Sequence, residues 1–159
     1  MKNVFAIALL LAVFGAGCAS LPLQPNAPIE PSAAVDDVSV DVSGKGLAAF
    51  PMDVLSRTKL ERLDLSKNKL TGAPPSQIGQ LTHLKYLDLS GNALTGLPAE
   101  LGALNTLEVL IVSNNKLTGL PMEIGNLTQL KLLDVSGNPY SVQDLEGIAE
   151  RLPQTIIRR

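Results

Sequence analysis

The chain holds one cysteine, Cys18, and one histidine, His83. Together they could supply a thiolate nucleophile and its base, but that chemistry needs the pair within hydrogen-bond reach, and here they lie far apart in sequence. One cysteine cannot close an internal disulfide, and one histidine without a second thiol does not make a zinc cluster. No glycine-rich phosphate loop and no metal-ligand spacing occurs. The carboxylates Asp41, Asp64, Asp88 and Asp134 recur along the chain. General acid–base work requires groups that converge in a pocket, and recurring acids spread along a surface do not. Asn126-Leu127-Thr128 is a formal glycosylation sequon on a repeating position and carries little weight. These residues point away from an enzyme and imply neither cofactor nor metal.

The elements that position these residues are set by an internal repeat. Leu60-Glu-Arg-Leu63-Asp-Leu65-Ser-Lys-Asn68-Lys-Leu70-Thr-Gly superimposes on Leu84-Lys-Tyr-Leu87-Asp-Leu89-Ser-Gly-Asn92-Ala-Leu94-Thr-Gly. It superimposes equally on Leu107-Glu-Val-Leu110-Ile-Val112-Ser-Asn-Asn115-Lys-Leu117-Thr-Gly. A fourth copy opens at Leu130 and runs to Asn138, and the extra residue in the first spacing is one of Ala73, Pro74 and Pro75. This pattern resembles the leucine-rich-repeat signature L-x-x-L-x-L-x-x-N-x-L. Its variable half, as in Leu97-Pro98-Ala-Glu-Leu101-Gly102-Ala-Leu104, is similar to the 23-residue class of bacterial and Ras-suppressor-like proteins. The resemblance is clear over Leu60–Asn138. A degenerate copy lies upstream at Val40–Pro51, with Lys45 in the Asn position.

Each repeating position has a physical reading. Leu63 and Leu65 alternate with Asp64, as a short strand requires, and strands from successive coils stack in parallel about 4.8 Å apart. Asn68, Asn92, Asn115 and Asn138 form a structural ladder whose amides bond turn backbone that is otherwise buried and unpaired. Pro75, Pro98 and Pro121 start a short helical turn, and Gly79, Gly102 and Gly125 are expected to end it in the left-handed conformation. Ser141-Val-Gln-Asp144 reads as a capping box opening an amphipathic helix over Val142–Leu152, with Leu145, Ile148, Ala149 and Leu152 inward. Thr155–Arg158 reads as a last edge strand, with Arg158 and Arg159 discouraging further pairing. The expected fold is an α/β solenoid, a right-handed superhelix of about five coils. It has a parallel concave sheet, short helical turns on the convex side and a C-terminal capping helix. Its divisions are a degenerate capping repeat at 37–59, repeats at 60–140 and a C-terminal cap at 141–159.

Residues 1–17 read as a signal peptide. Lys2 supplies a positive start, Val4–Phe14 is an apolar run of 11 residues, and small residues precede Cys18. Such a run is too short for a bilayer span, which takes about 20 residues. Ala16, Gly17 and Cys18 resemble the lipobox of bacterial lipoproteins, in which the cysteine becomes the lipidated first residue. Gly15 departs from that pattern, where an aliphatic residue is usual, and leaves open a rival cleavage near Ala19 or Ser20. Several acyl chains on Cys18 would hold a membrane stably where one chain would not. Ala19 in place of Asp favours, by the same resemblance, the outer membrane of a two-membrane bacterium. Residues 18–36 then form a tether with Pro22, Pro25, Pro28 and Pro31 at three-residue spacing. Drawn out as polyproline II, Ala19–Val35 reaches on the order of 50 Å.

The net charge is −2 and no basic cluster occurs, which excludes a nucleic-acid footprint. Three concave columns follow from the alignment. Glu61, Lys85, Glu108 and Lys131 alternate in sign. Asp41, Asp64, Asp88 and Asp134 share a column broken by Ile111. Ser39, Arg62, Tyr86, Val109 and Leu132 make the third. Tyr86, Val109, Ile111 and Leu132, bordered by Asp88 and Asp134, are therefore expected to form an exposed apolar patch that recognises a protein or peptide partner. The reading is a monomeric, membrane-anchored binding module. A host-contacting surface lipoprotein and a passive structural lipoprotein are the alternatives.

Overall fold

The computed structural model describes residues 38–159. The readings made for residues 1–37, among them Cys18 and the Pro-rich tether, lie outside the described residues. Six strands of three residues each form one parallel sheet. They are β1 (Ser39–Asp41), β2 (Arg62–Asp64), β4 (Tyr86–Asp88), β6 (Val109–Ile111), β7 (Leu132–Asp134) and β8 (Ile156–Arg158), adjacent in that order. The register is constant. Val40, Leu63, Leu87, Leu110, Leu133 and Ile157 pair in sequence, and this middle column points inward. Its four central leucines are fully buried, while Val40 and Ile157 at the two ends remain half-open. A full burial of one leucine stabilises by roughly 1.5–3 kcal/mol, so the column is a principal source of stability.

On the far side of this core run four 3-10 turns, Met52–Ser56, Ser76–Gln80, Ala99–Ala103 and Met122–Asn126, followed by the α-helix α1 (Val142–Arg151). Ile78, Leu101 and Ile124 point inward from the turns, and Leu145 and Ile148 from α1. The prolines sit one position earlier than expected. Pro75, Pro98 and Pro121 are extended N-cap residues, not first helical residues. The extra residue of the long repeat accompanies a feature absent from the sequence reading. β3 (Thr71–Gly72) pairs with β5 (Ala93–Leu94) in a second, two-stranded sheet, and Pro74 beside it is buried.

The asparagine column bonds as a ladder. Oδ1 of Asn68, Asn92, Asn115 and Asn138 accepts the N–H of Leu47, Leu70, Leu94 and Leu117 on the preceding coil, at 3.0–3.1 Å. Each Nδ2 donates both to carbonyls of its own turn and to one on the coil before, as Asn115 does to Val112, Ser113 and Leu89.

Two local expectations are corrected. Gly79, Gly102 and Gly125 do not have positive φ. They are needed for close approach. A Cβ at Gly79 would lie 2.7 Å from the Glu100 carbonyl oxygen, one at Gly102 2.5 Å from that of Glu123, and one at Gly125 2.5 Å from Arg151 Cδ. Nor is Ser141-Val-Gln-Asp144 a capping box. Ser141 is the N-cap of α1 but makes no side-chain cap bond. Asp144 Oδ2 instead accepts the Leu120 N–H at 3.1 Å, tying the helix to the preceding coil.

Five of the left-handed residues form a different column, Gly44, Lys67, Gly91, Asn114 and Gly137, where the chain turns off each of the first five strands of the sheet, and Gly46 and Gly72 lie outside it. Asn tolerates this conformation, but Lys67 at φ 55° carries a steric cost. Lys67→Gly is expected to raise stability by about 0.5 kcal/mol, the relief of strain exceeding the chain entropy that glycine adds to the unfolded state. Gly137→Ala is expected to lower it, because its φ of 68° strains any Cβ-bearing residue and the new Cβ would also meet Asn114 Oδ1 at 2.6 Å. Urea denaturation of both variants checks the contrast. A Lys67→Gly protein weaker than the parent removes the strain argument.

Candidate functional site

The open face of the six-stranded sheet carries the residues that the sequence singled out. Register places Ser39, Arg62, Tyr86, Val109, Leu132 and Ile156 in one row. Asp41, Asp64, Asp88, Ile111, Asp134 and Arg158 make a second, two residues further along. Glu61, Lys85, Glu108 and Lys131 precede the strands.

Most of the charge on this face is paired inside the chain. Lys85 Nζ donates to Glu61 Oε2 at 2.9 Å and Lys131 Nζ to Glu108 Oε2 at 2.7 Å. The hydrogen bond from Lys131, reinforced by its charge, holds the Glu108 carboxyl below its ordinary range, and the bond to Glu61 raises the Lys85 ammonium. Exposed pairs of this kind add little stability. Their consequence is that the alternating row presents no free charge of one sign. Arg62 pairs with Asp64 at 3.4 Å, and Arg158 reaches Asp134 at 3.9 Å.

The aspartate row has an internal duty as well. Oδ1 of Asp41, Asp64, Asp88 and Asp134 accepts the backbone N–H of Ser43, Ser66, Ser90 and Ser136, two residues on, at 2.8–3.1 Å. This is the local Asx bonding that stabilises a turn. At Asp41 the same bond, followed by the Ser43 hydroxyl, draws the carboxyl below its usual pKa. Asp64 and Asp88 are nine-tenths buried. Asp88 and Asp134 therefore border the patch with carboxylates already engaged in holding their own turns.

Tyr86 is held from two sides. The Arg62 guanidinium lies 3.6 Å from its ring centroid, and its hydroxyl donates to Asp88 Oδ2 at 3.2 Å. Burial, followed by the Asp88 charge, raises the phenol pKa, and Arg62 opposes this. Next to this fixed ring, Val109, Ile111 and Leu132 occupy adjoining strands and are half-exposed. Ile156 continues the row and is 67 % exposed. The sequence reading placed an edge strand over Thr155–Arg158 but did not carry the row one step further to Ile156, although the register alone supplies it. The Arg62–Tyr86 stack was equally missed, since spacing does not reveal which neighbour a long side chain covers.

His83 lies outside this face, exposed, with Nδ1 3.0 Å from the Thr58 carbonyl oxygen. Among the described residues no three His, Cys, Asp or Glu side chains are placed to hold a metal ion.

A family model described as a leucine-rich repeat region matches residues 41–152. The chain belongs to the leucine-rich-repeat family. No curated protein matches this leucine-rich-repeat chain. Among solved structures it is similar to a leucine-rich-repeat protein of Leptospira interrogans, at 40% identity and a TM-score of 0.66, over 70% of this chain and 28% of that one. It is also similar to a chain of the BIR3–SERK2 complex of Arabidopsis thaliana, at 38% identity and a TM-score of 0.60, over 64% and 56%. A third likeness is to the ectodomain of the Arabidopsis thaliana receptor kinase GASSHO1/SCHENGEN3, solved with CASPARIAN STRIP INTEGRITY FACTOR 2. There the identity is 34% and the TM-score 0.62, over 70% of this chain and 14% of that one. The leucine-rich-repeat chain thus spans 28%, 56% and 14% of the lengths of these three.

Proposed function

We propose that this leucine-rich-repeat chain is a non-enzymatic module that binds a protein or peptide through the concave face of its sheet. Tyr86, Val109, Ile111 and Leu132 form the centre, Ile156 extends it, and Asp88 and Asp134 form the border. The observation that carries the reading is the contiguous apolar patch on a face where four ion pairs hold most of the charge in-chain. The Asp88 carboxylate at the border accepts the Tyr86 hydroxyl and the Ser90 N–H, and the clamped Tyr86 offers an aromatic anchor at small entropic cost. Two of the similar solved structures are complexes, one of BIR3 with SERK2 and one of GASSHO1/SCHENGEN3 with an integrity factor, which supports partner recognition as the use of this fold. A single copy carries the whole patch, so the binding unit is one molecule. The same reading takes the solenoid as a right-handed arc of about five coils with α1 as its C-terminal cap. It takes the chain as held in a bacterial envelope through lipid on Cys18, with residues 19–36 as the tether.

The test is cross-linking and pull-down from native envelopes, with the wild type beside a Val109→Glu, Ile111→Asp variant. Both positions are half-exposed, so both proteins should fold alike, and circular dichroism verifies this first. A specific protein captured by the wild type and lost by the variant is the expected result. The same set captured by both removes the patch as the recognition site. A Cys18→Ser chain in the same fractionation is expected in the soluble fraction, and its retention in the membrane rejects the anchor.

A further inference from the structure

The two ends of the sheet are complementary to each other. Among the described residues β1 pairs only with β2, and β8 only with β7. Every pair in the sheet is parallel and in one register. One further step in that register sets Ile156, Ile157 and Arg158 of one molecule beside Ser39, Val40 and Asp41 of another. The inward column would then run on without interruption. Its four central leucines are fully buried, whereas Ile157 and Val40, at its two ends, are the members left half-open. Ile156 is 67 % exposed, and Val38, just ahead of β1, is 39 % exposed.

Charge selects this arrangement. In the second row the described residues run Asp41, Asp64, Asp88, Ile111, Asp134, Arg158, an acid at one end and the row's one base at the other. Arg158 already approaches Asp134 on the neighbouring strand at 3.9 Å and keeps 65% of its side chain exposed. A guanidinium has five donors, so it can serve a second carboxylate on its other side. Asp41 is exposed and meets its own Ser43 N–H through Oδ1. Pairing β8 with a second β8 would instead offer each Arg158 a strand, Ile156–Arg158, that carries no carboxylate.

We propose that copies of this protein associate head to tail, β8 of one adding in parallel to β1 of the next, with Arg158 bridging Asp134 of its own chain and Asp41 of the neighbour. Such a contact is heterologous and continues from copy to copy. It is small, and it leaves Val109 and Ile111 open. It shares only Ile156 with the proposed binding face and leaves Tyr86 and Leu132 uncovered as well, so the cross-linking test reads association apart from partner binding at that centre.

Full-length Ser39→Cys and Ile156→Cys chains, mixed and mildly oxidised, test it. Neighbouring parallel strands bring Cα atoms about 4.8 Å apart, within disulfide reach. Inside one molecule the same two positions are five strand steps apart, about 24 Å, which excludes an internal bridge. Ser39→Cys with Ile156→Cys is expected to form covalent dimers at least about tenfold faster than Ile156→Cys with Met52→Cys. Met52 is an exposed control away from the sheet edge. Adding Arg158→Glu to the Ile156→Cys chain should slow the reaction, and adding Asp41→Arg to its Ser39→Cys partner should restore it. Equal rates with the control overturn the proposal. So does Ile156→Cys linking chiefly to itself, which would assign a symmetric β8–β8 contact.

Discussion

Asn115→Ala is expected to lower the unfolding free energy by about 3 kcal/mol. The side chain is buried in the middle of the ladder. It accepts from the Leu94 N–H and donates to the carbonyls of Leu89, Val112 and Ser113. Its loss leaves the buried Leu94 N–H without a partner, while the three carbonyls lose one donor each and keep Asn92, Asn138 and the Gly91 N–H. One orphaned buried group costs roughly 1–3 kcal/mol, and the three weakened carbonyls add less than that each. Asn138→Ala is the internal comparison. Asn138 makes the same set of bonds, to the Leu117 N–H and the carbonyls of Val112, Val135 and Ser136, but it is only half-buried. Water can replace part of its bonding, and about half the loss is expected there. Urea denaturation followed by circular dichroism measures both. Equal effects at the two positions would remove the role given to burial, and a loss below about 1 kcal/mol at Asn115 would show that its amide is dispensable to the turn backbone.

Gly102→Ala is expected to cost about 3 kcal/mol although it adds a single methyl group to a turn with ordinary φ. The new Cβ would lie 2.5 Å from the Glu123 carbonyl oxygen, 2.7 Å from Glu123 Cβ and 2.9 Å from the Glu123 carbonyl carbon. Two of these are backbone atoms of the next 3-10 turn, which cannot swing aside as a side-chain tip can. The two turns must part, and overpacking of this kind costs typically 1–3 kcal/mol, occasionally more. Two other glycines calibrate the effect. Gly125→Ala meets the flexible Arg151 side chain and should cost less. Gly96→Ala meets nothing within 4 Å and has no positive φ, so it should be neutral or slightly stabilising through the unfolded state. If Gly102→Ala and Gly96→Ala melt together, the turns are not packed as closely as these distances require.

That glycine shows where the sequence stops being informative. Period and residue type were enough to place the strands, the register and the asparagine ladder, because each follows from a rule repeated at every coil. The repeat also marked Gly102 as special, but a recurring glycine is consistent with either a left-handed backbone or a close neighbour. Only the distance to Glu123 decides between them. Asp144 is a similar case. Its spacing from Ser141 fits a local cap, and its actual partner, Leu120, lies on a different coil. Within the candidate site the columns were legible and the pairings were not. The sequence placed Asp88 and Asp134 at the border of the patch, but their commitment to Ser90 and Ser136 depends on a turn geometry that spacing does not specify.

The constant strand register also bears on how such a chain can change its size. Each step across the sheet joins one coil to the next by the same ladder and the same amide bonds, so gaining or losing one whole unit of coding sequence leaves no mismatched edge. The proposed recognition surface is not repetitive in that sense, because among the described strands Ile111 interrupts the aspartate row once. Duplicating the unit that begins at Leu107 would double the apolar centre, whereas duplicating the unit that begins at Leu60 would only move that centre about 4.8 Å further from the first strand. Unequal recombination at the gene could thus alter binding strength and reach separately, with the fold indifferent to either.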